Sequence, residues 1–287
     1  MRLSSTLLLA VLLLGGGGLG APAAAQSWRN EGVKRQRSSE ESLDIKVKYH
    51  VGRFELNRLS GDVLYSIQSR YDEEAFDLYS TYRAVDGRGR LRIGLEGRDV
   101  EIKSFRDYNI EAGKLELGVS DATPLSISLE LGAVEAVMDL GGLRLHSLQV
   151  KAGASDVRIR FSERNPETAE SCIFKAGAAS LHIESLGNSG CRYIEFQGGV
   201  GTITLDFSGG WDYDAKGDIK VGLGTIVIRV PEELGVRIER NTFLMSFEAP
   251  GFWKGDGVWV SKNWSEASNR LELNLSGALG SIRIARS

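Results

Sequence analysis

The stretch from Tyr193 to Phe207, YIEFQGGVGTITLDF, contains the pattern that decides the fold. Apolar residues alternate with polar ones before a glycine-rich bend, at Ile194 and Phe196. The alternation resumes after the bend, at Ile203 and Leu205. A period of two is typical of a β-strand with one buried face, whereas a helix repeats its apolar residues every three to four positions. The stretch therefore predicts two strands joined by a tight bend.

The same pattern recurs along the chain at a nearly constant spacing. Glycine-centred bends lie 21, 24, 22 and 23 residues apart, at Gly132, Gly153, Gly177, Gly199 and Gly222. Self-similarity at such a period is typical of solenoids. We therefore predict an all-β, single-domain, right-handed β-solenoid resembling a parallel β-helix, with rungs of about 22 residues. The strands of a β-sandwich would also alternate apolar and polar residues, but they need not keep a fixed spacing between bends.

Stacked rungs would align the apolar positions into a continuous core. Glycine is expected at each bend because it adopts positive φ without a Cβ clash. The intervening residues would form a polar outer face, and they are Lys151, Arg158, Arg160, Lys175, His182, Glu195, Thr204 and Lys220.

The first 25 residues have the parts of a secretory signal. Arg2 supplies the basic start, Leu7 to Leu14 the apolar region, and Ala23-Ala24-Ala25 the small-residue cleavage site. We expect cleavage before Gln26 and a protein exported to the periplasm or cell surface. An uncleaved membrane anchor is the alternative, because Leu3 to Ala25 approaches the length that spans a bilayer. No transmembrane segment is expected in the mature chain.

The remaining sequence divides into three regions by composition and regularity. Residues 26–42 are polar and are expected to form a linker, residues 43–110 irregular N-terminal β rungs, and residues 111–287 the regular solenoid. Asp72 to Asp77 and Asp86 to Arg90 are expected to be side loops. At the C-terminal end, Leu271 to Ile284 predicts a last rung after an excursion from Arg240 to Arg270.

The charge balance argues against a nucleic-acid partner. The chain has 35 basic and 38 acidic residues, a formal net charge of −3. A nucleic-acid-binding protein is expected to be basic.

One segment carries a family resemblance. Residues 217–236, GDIKVGLGTIVIRVPEELGV, resemble the C-terminal β-solenoid of LiaF-like cell-wall stress proteins, and the closing residues Gly277 to Ala285 resemble the end of that domain. With Leu115 to Phe207, the chain is similar to the toast-rack group of surface proteins and to related adhesin-type solenoids. The resemblance implies the fold and an envelope location. It carries over no functional residue.

No residue pattern indicates catalysis, a cofactor or a metal. The chain has neither a G-x-S-x-G nor a phosphate-binding loop motif. His50, His146 and His182 fall on different rungs. An acidic group around Trp211 and Tyr213 raises the alternatives of a calcium site or a sugar-cleaving carboxylate pair, and its members are Asp206, Asp212, Asp214 and Asp218.

Cys172 and Cys191 are the only cysteines. An even number of cysteines in an exported protein is compatible with a disulfide. Cys172 is expected in the same inward column as Ile194, and Cys191 lies three residues before Ile194. With that offset, the two cysteines can bond only if the turn between them folds back. Otherwise Cys172 is a small buried apolar residue.

Phe252, Trp253, Trp259 and Trp264 form the candidate binding surface, because exposed aromatic side chains stack on sugars or anchor partners. The alternative, which we favour, is an aromatic plug over the end of the solenoid. The sequence as a whole predicts a non-enzymatic envelope module, connected with cell-surface or cell-wall stress functions, that binds an envelope protein or wall polymer. A structural or adhesin-like surface protein is the alternative, and a carbohydrate-active β-helix enzyme is a more distant one.

Overall fold

The computed structural model describes residues 27–98 and 113–287, and these residues form an all-β structure, as predicted. A 3₁₀ turn, Leu186–Ser189, is the only helical element among them. The predicted signal peptide, residues 1–25, lies outside the described residues. The strands are β1 (Trp28–Gln36), β2 (Ser42–Leu59), β3 (Val63–Asp72), β4 (Phe76–Val85), β5 (Arg88–Gly97), β6 (Lys114–Ser120), β7 (Leu125–Asp139), β8 (Leu145–Ala152), β9 (Asp156–Arg160), β10 (Ala169–Glu184), β11 (Cys191–Asp206), β12 (Ala215–Val230), β13 (Gly235–Glu248), β14 (Phe252–Gly255), β15 (Val258–Ser261) and β16 (Arg270–Arg286).

The long strands pair in parallel, each with its equivalent in the next repeat. In β10 and β11, Cys172 is opposite Ile194 before the bend and Leu181 is opposite Ile203 after it. We call each long strand a layer. Two short strands also count as one layer when together they pair along the length of a long strand. The part of a layer before the bend is its first segment and the part after the bend its second segment. β8 and β9 are the two segments of one layer, so β7, β8, β10 and β9 form a closed ring of parallel pairs.

Parallel pairing in register places inward residues over inward residues. Phe174, Phe196, Ile219 and Leu275 stack in this way on β10, β11, β12 and β16, and each is at most 1% exposed. Burying a side chain of this size contributes about 1.5–3 kcal/mol. The core is therefore a set of apolar columns that run across the layers.

The glycines at the bends serve two different purposes. The five predicted bend glycines do not have positive φ, so the predicted reason for them was wrong. They are required by close approach instead, since a Cβ on Gly222 would lie 2.7 Å from the carbonyl oxygen of Gly199. Positive φ occurs two residues later, in a second glycine column formed by Gly201, Gly224 and Gly280.

The C-terminal layers do not follow chain order. β16 pairs with β12 on one side and with β13 on the other, so the last strand lies between two earlier ones. The prediction that residues 271–284 form the terminal layer was therefore wrong. Residues 240–248 belong to β13 rather than to an excursion, and the excursion is limited to the segment between β13 and β16 that contains β14 and β15.

The N-terminal region joins the same stack. β2 is a complete layer that pairs with β7 along most of its length, while β5 and β6 cover its first and second segments on the other side. β4 and β3 then pair antiparallel with β5 and β6, and β1 pairs antiparallel with β3. Residues 28–36, expected in a linker, thus form a strand, because β3 offers them a free edge.

We predict that Gly224→Ala destabilises the fold far more than Gly61→Ala. Both glycines have positive φ, at 147° and 89°. A Cβ on Gly224 would lie 2.0 Å from the carbonyl oxygen of Gly201, whereas no atom lies within 4 Å of a Cβ on Gly61. Urea unfolding should show a loss of about 3 kcal/mol or more at Gly224 and about 1 kcal/mol at Gly61. Equal losses would contradict stacking of the glycine column.

Candidate functional site

The predicted aromatic residues lie mainly on one hairpin at the end of the stack. β14 and β15 pair antiparallel, with Trp253 opposite Val260, and β15 pairs with the first segment of β13. We call β14 and β15 the C-terminal hairpin. It carries Phe252, Trp253 and Trp259, whereas Trp264 lies beyond β15.

Two of the four aromatic side chains cover the core. Trp259 is opposite Ile238, and its ring centroid lies 5.0 Å from that of Phe247. Phe252 and Trp259 both pack against the apolar core. Both side chains are therefore half-buried against the rest of the stack.

The other two aromatic residues take no part in covering the core. The Arg270 guanidinium lies 5.6 Å from the ring centroid of Trp264, whose carbonyl accepts a hydrogen bond from Arg270 Nε at 3.1 Å. Trp253 is 63% exposed and is the only freely accessible member of the predicted surface.

The acidic group does not converge on a site. The Asp206 carboxylate accepts a hydrogen bond from the Ser208 amide at 2.9 Å, and that of Asp214 from the Arg270 amide at 2.8 Å. Asp212 forms an ion pair with Arg164. Each of these carboxylates has a local structural partner.

Asp218 lies on the outer side of β12, away from the turn. Its carboxylate accepts hydrogen bonds from Asn274 Nδ2 at 2.8 Å and from the Tyr193 hydroxyl at 2.7 Å. These bonds hold the pKa of Asp218 below its usual value. The bond to Asp218, together with burial, raises the pKa of Tyr193 to about 12.

The histidines are separate from one another. His182 Nε2 lies 3.0 Å from the Glu184 carboxylate, and His146 Nε2 lies 3.8 Å from that of Glu170. His50 is on β2. Among residues 27–98 and 113–287, no three His, Cys, Asp or Glu side chains are grouped as metal ligands would be.

The structure joins Cys172 and Cys191 in a disulfide, with their Cα atoms 5.9 Å apart. Cys191 is opposite Ala169, three positions before Cys172 in β10. Ala169 and Cys172 are both buried while Glu170 between them is exposed, so the chain turns a corner there. The corner brings the two cysteines together despite their offset.

A second candidate surface is the outer side of the first segments, which we call the front face. Its side chains form three columns across the layers. From β4 to β10, the first contains Arg83, Arg90, Asp44, Ser126, Ser147 and Ser171, the second Thr81, Arg92, Lys46, Ser128, Gln149 and Ile173, and the third Lys48, Glu130, Lys151 and Lys175. In β11 and β12 the three columns continue through Tyr193 and Lys216, Glu195 and Asp218, and Gln197 and Lys220.

Two open grooves follow this face. One, of about 570 Å³, lies over the serines and is bordered by Lys46, Arg90 and Arg92. The other, of about 820 Å³, has Gly177, Gly199 and Gly222 as its floor and three lysines along it, Lys151, Lys175 and Lys220. Glycine columns leave this space because they carry no side chains.

The cations of the front face are only partly neutralised. Glu130 lies 3.6 Å from Lys48 Nζ and 3.4 Å from Lys151 Nζ. Burial acts to raise the pKa of Glu130, but the hydrogen bond with Lys151 and the charges of Lys46 and Lys48 hold it below its usual value. In the part of the chain that the structure describes, Arg83, Arg90, Arg92, Lys46 and Lys175 form no ion pair.

Sequence reasoning found only part of this face. Lys151, Lys175 and Lys220 were assigned to the polar outer face by their alternation. Arg90 was assigned to a side loop, which was wrong because it lies in β5 and is opposite Asp44 of β2. The irregular spacing of the N-terminal strands gives no signal for this pairing.

Comparison with known proteins identifies the family. Residues 24–184, more than half of the chain, match the family described as the N-terminal domain of toast_rack, DUF2154. The chain therefore belongs to the toast-rack family. The match includes the irregular N-terminal strands and ends before residues 217–236, on which much of the resemblance to LiaF-like proteins was based. No curated protein sequence matches the chain.

Three solved structures are similar over most of their length. A "putative cell adhesion protein" from Clostridium sporogenes ATCC 15579 is 16% identical with a TM-score of 0.49, and 91% of this chain and 100% of that chain are covered. A "putative adhesin" from Bacteroides fragilis NCTC 9343 is 14% identical with a TM-score of 0.35, covering 91% and 98%. Another from Parabacteroides distasonis ATCC 8503 is 13% identical with a TM-score of 0.41, also covering 91% and 98%.

Within the two described ranges, there is no helix with the length and hydropathy that crossing a lipid bilayer requires.

We predict that Trp259→Ala destabilises the fold and Trp253→Ala does not. Trp259 covers the core, whereas Trp253 is mostly in solvent. Urea unfolding should show a loss of about 2 kcal/mol or more for Trp259 and less than about 0.5 kcal/mol for Trp253. A larger loss at Trp253 would contradict the packing of Trp259 on the core.

We also predict that Cys172 and Cys191 are bonded in the folded protein when it is isolated without reductant. Denatured protein should take up no thiol alkylating reagent, as measured by intact mass, unless it is first reduced. Replacing both cysteines by alanine should cost about 2–4 kcal/mol, since the bond closes a loop with a sequence separation of 19. Alkylation of both thiols without reductant would contradict the prediction.

Proposed function

We propose that this toast-rack protein is an exported, non-catalytic module of the bacterial envelope that binds a partner along its front face. The observation that supports this best is the face itself, which is polar, crosses successive layers and is followed by two grooves. Export is supported by the form of residues 1–25. A link to cell-wall stress rests on the resemblance to LiaF-like proteins alone.

We further propose that the chain is a single right-handed β-solenoid after signal removal. The solenoid is supported by parallel pairing of equivalent residues in successive layers, and the right hand by the usual chirality of parallel connections. β1 pairs with β3, so the folded domain would begin soon after Gln26. The predicted boundary near residue 110 would then separate irregular from regular layers of the same domain.

We predict that blocking the front face abolishes envelope binding. The full gene is expressed in a bacterial host, and the exported protein is recovered and incubated with isolated cell envelopes. Wild type should sediment with the envelopes. Ser147→Tyr with Ser171→Tyr should remain in the supernatant, because two bulky side chains would fill the serine groove without changing the charge.

The matched control places the same side chains on the second segments. Thr202→Tyr with Thr204→Tyr lies on the outer side of β11, away from both grooves. It should sediment like wild type, with an unchanged urea midpoint. Retention of the protein in the cytoplasm, or equal binding by both double variants, would overturn the proposal.

A self-associating surface protein is a second candidate, and the outer edge of β13 favours it. β15 covers only Arg237 to Glu239, so within residues 27–98 and 113–287 the second segment of β13 has no outer partner strand. Phe243 and Leu244 on this segment are 82% and 61% exposed. An open strand edge is a template for pairing with another chain.

The sequence of this edge fits a second copy of the chain. Antiparallel self-pairing centred on Leu244 would place Arg240 opposite Glu248, so opposite charges would meet at both ends of the pair. The arrangement has the two-fold symmetry of common dimers.

We predict that Leu244→Lys keeps the protein monomeric if wild type dimerises through this edge, since charge on an edge strand opposes pairing. Sedimentation velocity at high micromolar concentration measures the state. Leu223→Lys is the control, because Leu223 is in the same exposed column but in the middle of the stack. A monomeric wild type, or dissociation by both variants, would rule out this candidate.

A further inference from the structure

The front face carries a local excess of positive charge on an acidic protein. Between β4 and β10, its three columns contain seven basic residues, Arg83, Arg90, Arg92, Lys46, Lys48, Lys151 and Lys175, and two acidic ones, Asp44 and Glu130. The local net charge is therefore +5, whereas that of the whole chain is −3. We call this part of the front face the basic strip.

The second segments of the neighbouring layers differ from the basic strip. There, arginines are matched with carboxylates across layers, as in Arg53 with Glu135 at 3.0 Å. Arg58 forms a bidentate pair with Glu163 in the same way. A cation that is already paired must give up its carboxylate partner to bind an external anion. The unpaired cations of the basic strip can bind an anion without breaking an ion pair.

Hydroxyl groups lie between the cations. Ser126, Ser128, Ser147 and Ser171 are half-buried along the smaller groove, and the structure gives their hydroxyls no hydrogen-bond partner among the described residues. Each hydroxyl can donate one hydrogen bond and accept others. A ligand with its own hydroxyl or ether oxygens would use this capacity.

The dimensions require an extended ligand. The strip crosses six layers, from β4 through β5, β2, β7 and β8 to β10, and neighbouring strands lie about 4.8 Å apart, so it is about 24 Å long. A single small anion would contact only one or two of the cations. A polymer along the strip would contact cations at both ends and serines in the middle.

We infer that the basic strip binds a polyhydroxylated polymer bearing phosphate or sulfate groups. Arg90 and Arg92 at one end and Lys175 at the other would pair with the anionic groups, and the serines would hydrogen-bond the polyol. This inference rests on the proposed function, since it names the chemical class of the partner for the same face.

The test measures binding of the exported protein to defined polymers by calorimetry at low and at high salt. Poly(glycerol phosphate) and dextran sulfate distinguish the phosphate source from the sulfate source, and neutral dextran and polyglutamate are the references. We expect one or both of the first two polymers to bind, neither reference to bind, and affinity to fall steeply with salt.

The deciding variant replaces three unpaired cations, Arg90→Ser, Arg92→Ser and Lys175→Ser. It should lower the affinity at least about tenfold and reduce the slope of log affinity against log salt by about 2–3. The control removes three ion-paired cations from second segments, Arg53→Ser, Arg58→Ser and Arg283→Ser, which changes the net charge equally. It should bind like wild type.

Each other outcome overturns the inference in a defined way. Equal loss in both triple variants would mean that only net charge matters, and equally tight binding of polyglutamate would mean that the polyol has no role. If no polymer binds while envelopes still capture wild type and not the Ser147→Tyr, Ser171→Tyr variant, the inference fails and the proposed function stands. If envelopes capture nothing either, both fail.

Discussion

Parallel pairing in register is the constraint on which the rest of the structure depends. Because each layer stacks on its equivalent about 4.8 Å away, any position is repeated as a column across the molecule. Inward columns must be apolar, as in the stack of Phe174, Phe196, Ile219 and Leu275. Columns at the bends must be glycine where a carbonyl of the preceding layer occupies the space of a Cβ, as at Gly222 and Gly224. The same rule turns single outward residues into continuous polar faces.

The regular layers could be predicted from the sequence because their signal is local and repeated. Alternation around Gly177 and Gly199 gives both the strands and their register, since equivalent residues are one period apart. The order of the last layers could not be predicted in this way. β12 and β13 carry similar patterns, and nothing local in Leu271 to Ile284 indicates that this strand lies between them. That choice depends on long-range packing.

The candidate sites likewise include a part that the sequence predicts and a part that depends on long-range pairing. An aromatic plug is expected from the sequence because a solenoid needs a closed end, and Trp259 is the residue of the predicted set that contacts Phe247 and the core. The basic strip was not predicted as a unit, because Arg90 and Arg92 come from a hairpin far from Lys175 in sequence. They share a face only because β5 pairs with the first segment of β2. Charge that is dispersed in sequence thus becomes concentrated by topology, while the net charge of the chain conceals it.

Disulfide cross-linking across the C-terminal layers tests the stacked register most directly. In a background with Cys172 and Cys191 replaced by alanine, cysteines are introduced at Thr225 and Ser281, whose hydroxyl oxygens lie 3.3 Å apart, or at Thr225 and Ser246, which are two layers apart. The structure predicts rapid oxidation of the first pair and none of the second, measured by thiol labelling of folded protein. Oxidation of the second pair without the first would place β13 directly on β12 and contradict the order of the layers.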